Sequence, residues 1–193
     1  MSHYFVTPAG EEHRRSIRAR FWDRDWEFVT ADGVFSADRL DLGTSILLRE
    51  STPPTGPVNL LDLGCGWGVI AVALAVTNPE AHVTAIDVNE RALDLTRLNA
   101  TLHGVADRLT VSTASEHTFD EIWSNPPIRV GKEALHALLR QWLPTLKPDG
   151  VARMVVGKNL GADSLQAWLN QSGWRCDRVA SAKGFRVLEV RRA

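Results

Sequence analysis

Residues 58–87 read VNLLDLGCGWGVIAVALAVTNPEAHVTAID, and this stretch decides the fold class. VNLLDL (58–63) is an apolar run of strand length, VIAVALAV (69–76) stays apolar long enough to be a crossover helix, and HVTAID (82–87) is a second β-rich run. Two parallel strands need a crossover of a dozen or more residues, usually a helix, so the order strand, helix, strand predicts a parallel βαβ unit.

The alternation continues downstream. ERALDLTRLNATLHG (90–104) places Ala92, Leu93, Leu95, Leu98 and Leu102 near helical spacing, with Gly104 as its stop. Residues 109–113 and 119–123 read as short third and fourth strands, the latter ending at Ser124. KEALHALLRQWL (132–143) reads as an amphipathic helix, KPDG (147–150) as a turn and VARMVV (151–156) as a strand. Asp163 or Ser164 is placed to cap a helix over 164–172, which Gly173 ends. WRCDRVA (174–180) and FRVLEVRR (185–192) flank SAKG as a hairpin.

The expected fold is α/β: a Rossmann-like sheet, mostly parallel, with a C-terminal antiparallel hairpin and helices on both faces. Residues 1–57 are less regular and are expected to pack on a core spanning 58–193, forming one domain with it. Within them HRRSIRARFW (13–22) reads as a short helix, WEFVT (26–30) and GVF (33–35) as strands paired around ADG, and STPPTGP (51–57) as a linker.

With 193 residues and a formal charge of -1, the chain lacks the global basic footprint of a protein that relies on phosphate neutralisation. Any nucleic-acid contact must be local. Two cysteines far apart, Cys65 and Cys176, fit a reducing cytoplasm, and six scattered histidines, from His3 to His136, give no metal-ligand spacing. No metal is expected. MSHYFVTPAGEEHRRS (1–16) lacks the apolar run of a signal peptide, and no later stretch approaches a membrane span, so a soluble cytoplasmic protein is expected.

Two motifs carry chemistry. DLGCGWG (62–68) stands at a strand end and opens a helix, where open α/β sheets bind ligands. Its GxGxG spacing and the carboxylate of Asp62 set it apart from the GxGxxG of dinucleotide folds, since a pyrophosphate would be repelled and a cationic group attracted. Asp87 ends the next strand, where a carboxylate accepts hydrogen bonds from ribose hydroxyls. Together Asp62, Gly64, Cys65, Gly66, Gly68, Asp87 and Val88 suggest a site for a nucleoside without phosphate. The plainer alternative is a tight turn, with Asp87 capping the helix near Glu90.

The second motif is SNPP (124–127), at the end of the fourth strand and on the same sheet edge. An exocyclic amine is a poor nucleophile because its lone pair is delocalised. An Asn125 side-chain oxygen and a Pro126 carbonyl that accept its two N–H bonds would hold the nitrogen pyramidal, and Pro126 and Pro127 stiffen the loop. The bland alternative is a Pro-Pro loop that merely ends a strand.

DLGCGWG, AIDVN and SNPP together resemble the class I S-adenosylmethionine-dependent methyltransferases, and within them the small-domain group that includes the RsmC-type ribosomal RNA guanine-N2 methyltransferases. The likeness extends to VFSADRLDLGTSILL (34–48), NPPIRVGKEALH (125–136), GKNLGADSL (157–165) and GFRVLEV (184–190), nearly the whole chain. The resemblance implies S-adenosylmethionine as cofactor and S-adenosylhomocysteine as product. It implies that Asp62, Gly64, Gly66 and Gly68 surround the amino-acid end of the cofactor, that Asp87 holds its ribose, and that Asn125 to Pro127 present the target amine. It also implies that Asp41, Gly43 and Thr44 line the cofactor pocket, and that ribosomal RNA or the small ribosomal subunit is the partner.

Three departures stand out. Ile128 follows NPP where many relatives carry Phe or Tyr, so a base would meet an aliphatic contact. After the third strand, Ala114 or Ser115 stands where an acidic residue often contacts the adenine. The duplicated N-terminal domain common in the RsmC type is missing from these 193 residues. Candidate acceptor contacts are Ile128, Arg129, Lys132 and Lys158, at the ligand edge by motif position. Arg14, Arg15, Arg18 and Arg20, with Trp22 and Trp26, offer either an RNA-gripping edge or a solvated helix balanced by Glu11, Glu12, Asp23 and Asp25. Competing functions are N-methylation of a protein glutamine, an adenine or a small-molecule amine, and a noncatalytic cofactor-binding module. A nicotinamide oxidoreductase fits GxGxG with Asp62 less well.

Overall fold

The computed structural model describes residues 13–193. A β-hairpin comes first: β1 (Arg14–Phe21) and β2 (Arg24–Ala31) pair antiparallel from Arg14 opposite Ala31 to Phe21 opposite Arg24. The expectation of a helix over 13–22 is therefore wrong, as is the pairing of WEFVT with GVF. The physical reason is period two: Ile17, Ala19 and Phe21 alternate with exposed arginines, and Trp26, Phe28 and Thr30 alternate on the partner strand. Trp22 and Asp23 turn the hairpin at φ 49° and 54°, the positive pair that a two-residue turn matched to strand twist requires.

Within the N-terminal 57 residues α1 (Leu42–Glu50) follows the hairpin, and from there the core keeps the expected alternation: β3 (Asn59–Leu63), α2 (Val69–Thr77), β4 (His82–Ile86), α3 (Glu90–Leu102), β5 (Leu109–Ser112), β6 (Phe119–Ser124), α4 (Lys132–Trp142), β7 (Leu146–Gly157), α5 (Ala162–Gln171), β8 (Trp174–Ala182) and β9 (Phe185–Arg192). The seven-stranded sheet runs β5-β4-β3-β6-β7-β9-β8, parallel through β7 and antiparallel at β9 and β8. This is a Rossmann-like sheet with helices on both faces. Leu60, Val83, Ala85, Val155 and Val187 pack with α2 and α3 on one face; Leu61, Leu63, Met154, Val156 and Leu188 pack with α4 and α5 on the other. The near-continuous apolar runs follow from burial on both faces.

Two local expectations need correction. KPDG lies within β7 as a wide bulge, since Phe119 pairs with Leu146 and Glu121 with Val151, and Lys147 Nζ reaches Asp120 at 2.8 Å. The last helix starts earlier than expected, at Ala162, capped by Gly161 in the left-handed region rather than by Asp163 or Ser164.

The hairpin is fastened by buried amides. Asn99 on α3 accepts from Val29 N–H and donates to the Val29 and Trp67 carbonyls, each at 2.8 Å. Asn89 Nδ2 donates to the Gly33 carbonyl at 3.0 Å, and Trp67 Nε1 to that of Phe35 at 3.1 Å. Ile17, Phe21, Trp26 and Phe28 thereby join the same apolar cluster as α2 and α3. On the outer face Arg18 pairs with Glu27 and Arg20 with Asp25, while Arg15, on the same parity as Ile17, pairs with Asp32 and Asp38 beyond the end of β2. Trp26 is buried, and of the two readings of this segment the charge-balanced one is realised, on an ion-paired hairpin rather than on a helix. Glu11 and Glu12 lie outside the described residues.

Candidate active site

Strand order reverses between β3 and β6, because β4 and β5 continue to one side of β3 and β6 and β7 to the other. A crevice opens outside the carboxyl ends of strands at such a switch point. The glycine loop leaves β3 there and SNPP leaves β6. Ser124 Oγ binds them together by donating to the Leu63 carbonyl at 2.7 Å.

Gly64, Gly66 and Gly68 all have positive φ, but their surroundings differ. A Cβ on Gly64 or Gly66 would meet no atom within 4 Å, whereas one on Gly68 would stand 2.9 Å from the Thr96 side chain. The first two glycines thus border open space and the third lets α2 close on α3. The loop is pinned by Gly64 and Cys65 N–H donating to Ile86 O, at 2.8 and 2.9 Å, and by Thr96 Oγ1 donating to Gly66 O at 2.9 Å. Cys65 is buried, with Sγ 3.6 Å from Thr96 Oγ1 and its carbonyl taken by Gly68 N–H. Burial pushes its thiol well above the usual range, so Cys65 serves the loop's packing rather than chemistry.

Asp62 is fully buried, and its Oδ2 accepts from Ala71 N–H at 2.9 Å. Among the described residues its Oδ1 has no partner. Burial, reinforced by the Asp87 charge, pushes this carboxyl up to about 7 against the Ala71 bond that lowers it. A buried carboxylate with an orphaned oxygen fits a cationic group brought by a ligand. Asp87, just past β4, accepts from Gly66 N–H through Oδ2 and from Asn89 N–H through Oδ1, both at 2.9 Å. Burial raises its carboxyl, and these backbone bonds partly offset the rise. Each oxygen keeps a second lone pair for a hydroxyl. The cap of α3 is Asn89, accepting from Arg91 N–H, not Asp87. Val88 is 64% exposed beside Asp87, an apolar surface for a flat ring.

Asn125 is half-buried, and its Nδ2 donates to Asp41 Oδ2 at 2.8 Å and to Thr44 Oγ1 at 3.0 Å. Asp41 also caps α1 by accepting from Thr44 N–H at 2.9 Å. A carboxylate only accepts, so the nitrogen of the Asn125 amide must face Asp41 and its oxygen is left for another donor. Asp41 and Thr44, expected on the cofactor, are thus in hydrogen-bond contact with the acceptor motif, while Gly43 lies in close contact with Asp41 and Phe185. Sequence reasoning did not find Phe185, which follows the turn of the β8–β9 hairpin.

The Pro126 carbonyl already accepts from Ile128 N–H at 2.8 Å, which leaves one lone pair. Pro127 leads into a 3-10 turn (Ile128–Val130). Ile128 and Lys132 line a cavity of about 120 Å³ with His136 and Leu160, and Lys158 lines a separate one beside Phe185. The side chain of Arg129 lies outside the described residues. Ser112 Oγ accepts from Ala114 N–H, and Ser115 Oγ from His117 N–H, both at 3.2 Å, so local turns engage both serines. Among the described residues no group of three or more His, Cys, Asp or Glu side chains is placed to hold a metal, and no helix is long and apolar enough to cross a membrane.

The glycine loop with the buried Asp62 carboxyl and the SNPP loop with the Asn125 amide therefore meet at one edge of the sheet. The methyltransferase small domain family matches residues 25–189, and the chain belongs to it. It is an S-adenosylmethionine-dependent enzyme of the RsmC-like class. The uncharacterized protein YbxB of Bacillus subtilis (strain 168) is 30% identical over 196 residues, covering 98% of each chain. Ribosomal RNA small subunit methyltransferase C of Photorhabdus laumondii is 40% identical over 168 residues, covering 83% of this chain and 48% of that protein. In fold the chain is similar to the 16S rRNA N2 methyltransferase RsmC of T. thermophilus, solved with AdoMet and guanosine, at TM-score 0.77 and 21% identity, over 96% of this chain and 52% of that one. The chain therefore spans about half the length of these rRNA methyltransferases.

Proposed function

We propose that the chain methylates an exocyclic amino group, guanine N2 in ribosomal RNA, with the small ribosomal subunit or its RNA as partner in the cytoplasm. The observation that carries the reading is the Asn125 amide, whose nitrogen is committed to Asp41 and Thr44 and whose oxygen is left to accept. The cofactor supplies a methyl group on a cationic sulfur. In this reading Asp62 Oδ1 holds the ammonium of its amino-acid end, Asp87 accepts from its ribose, and Gly64 and Gly66 leave room for it. Val88 flanks its adenine.

Asn125 Oδ1 and the remaining lone pair of the Pro126 carbonyl accept the two N–H bonds of the target amine. The nitrogen is then held pyramidal with its lone pair toward the methyl group. No strong base is needed, since positioning lowers the barrier: the carbon–sulfur bond would break as the carbon–nitrogen bond forms, leaving S-adenosylhomocysteine, and the surplus proton on the nitrogen would pass to water. Ile128 gives the base an aliphatic wall, and Lys132 and Lys158 offer charge to its backbone. The hairpin of residues 14–31 serves as part of the same folding unit, because its apolar face and the core share one cluster.

The test is incubation with methyl-labelled S-adenosylmethionine and ribosomal RNA or small subunits lacking native modification, with labelled nucleosides identified by mass spectrometry. Label in N2-methylguanosine is the expected result. Absence of label in RNA, with S-adenosylhomocysteine binding intact, would overturn the RNA assignment in favour of a protein glutamine or small-molecule amine.

A further inference from the structure

The carboxyl edge of the sheet carries a second hollow, of about 340 Å³, lined by Lys158, Ser181, Ala182, Lys183, Gly184, Phe185 and Arg186. It is built by the tight turn joining β8 to β9, where Lys183 and Gly184 sit at φ 46° and 82°. Lys158 N–H donates to the Gly184 carbonyl at 2.8 Å, which ties the end of β7 to that turn. Phe185 pairs with Gly157 while Ser124 pairs with Met154, so the hollow opens on the edge that bears Asn125.

Its chemistry is one-sided. Three of its lining residues are cationic and none is acidic. Arg186 is neutralised by Asp163, but among the described residues neither Lys158 nor Lys183 has a carboxylate within ion-pair distance. Phe185, half-buried, forms the wall toward the acceptor motif: a Cβ on Gly43 would stand 3.1 Å from Phe185 Cε1 and 2.9 Å from Asp41 Oδ2. That Asp41 oxygen is the one that holds Asn125. An aromatic ring therefore borders the acceptor group on one side and a pair of uncompensated lysines on the other.

We propose that this hollow is the acceptor strand's subsite, in which Lys158 and Lys183 bind phosphodiester oxygens next to the target nucleotide and Phe185 offers its ring to a base. It supplies the aromatic surface that Ile128 lacks. The proposal rests on the RNA reading above. A base has a π-face for Phe185 and a phosphate takes point charges from lysine, whereas a glutamine side chain offers neither.

The experiment uses the full chain and a fluorescein-labelled single-stranded RNA oligonucleotide, with affinity read by anisotropy across salt concentrations. Single-strand binding loses a log-log slope of roughly 0.7 for each phosphate contact removed, so Lys158→Ala with Lys183→Ala lowers the slope by about 1.4. Phe185→Leu keeps the packing and weakens binding by roughly fivefold or more, and Phe185→Tyr restores it. S-adenosylhomocysteine affinity stays unchanged in all of these, which certifies the fold. Arg178→Ala, removing a cation from the middle of β8, leaves the slope alone. A parent that binds RNA with a slope the lysine pair does not alter overturns the subsite while the RNA reading stands. A parent that binds no RNA overturns the RNA reading itself.

Discussion

Replacing Asp62 by asparagine tests the assignment of the orphaned oxygen with opposite effects on stability and binding. Burial lifts the carboxyl from 3.8 to about 7, so between those values the folded chain holds a proton that the unfolded chain has lost. The stabilising contribution is full below about pH 4 and disappears as pH rises through 7, a span worth about 4 kcal/mol at 1.36 kcal/mol per unit. The replacement amide keeps an oxygen for the Ala71 N–H and carries no charge, but its buried NH₂ group costs roughly 1–3 kcal/mol if unpaired. At pH 8 the ligand-free variant should therefore be more stable than the parent by about 1–3 kcal/mol, and the difference should shrink or reverse toward pH 5. Urea denaturation from pH 5 to 8 measures this directly.

Binding should move the other way. Removing one partner of a buried charge pair costs roughly 3–5 kcal/mol, so S-adenosylhomocysteine affinity should fall at least a hundredfold in Asp62→Asn. In the parent, affinity should rise about tenfold per pH unit from 5 to 7 and then level off, with about one proton released on binding. Calorimetry in two buffers of different ionisation enthalpy reads that proton. A variant that binds with parental affinity and parental pH dependence would refute the pairing of Asp62 with a ligand cation.

Gly64→Ala and Gly68→Ala should separate crevice from packing: the first should weaken S-adenosylhomocysteine binding by more than tenfold at a stability cost of about 1 kcal/mol, while the second, 2.9 Å from Thr96, should lower the melting temperature markedly. Asn99→Ala removes a buried amide with bonds to Val29 and Trp67, so unfolding free energy should drop by about 2–4 kcal/mol, with faster amide exchange at Val29. Thr44→Val deletes one of the two acceptors on Asn125, and kcat should fall several-fold with S-adenosylhomocysteine affinity retained.

What could be read from the sequence was local. The glycine loop, AIDVN and SNPP each declare themselves within seven residues, and the buried strands read as apolar runs because both sheet faces are covered. The bulge in β7 kept KPDG looking like a turn. The hairpin was hidden because arginines fill the outer positions of β1 and its turn, Trp22-Asp23, lacks the Asn-Gly signal of such turns. The alternation of Ile17, Ala19 and Phe21 was the signal that could have revealed it. Asn99 looked like one more polar helix residue, since its partner Val29 lies 70 positions away. The meeting of Phe185 with Gly43 and Asp41 is likewise a product of the strand order, which no local pattern encodes.

The most direct test of the account is single-turnover methyl transfer to ribosomal RNA by Asn125→Ala, with S-adenosylhomocysteine affinity measured on the same preparation. Loss of an oriented acceptor at the reacting nitrogen should slow transfer by about a hundredfold or more while cofactor affinity stays within about threefold. A variant that methylates at the parental rate would contradict the claim that the Asn125 amide, set by Asp41 and Thr44, presents the acceptor.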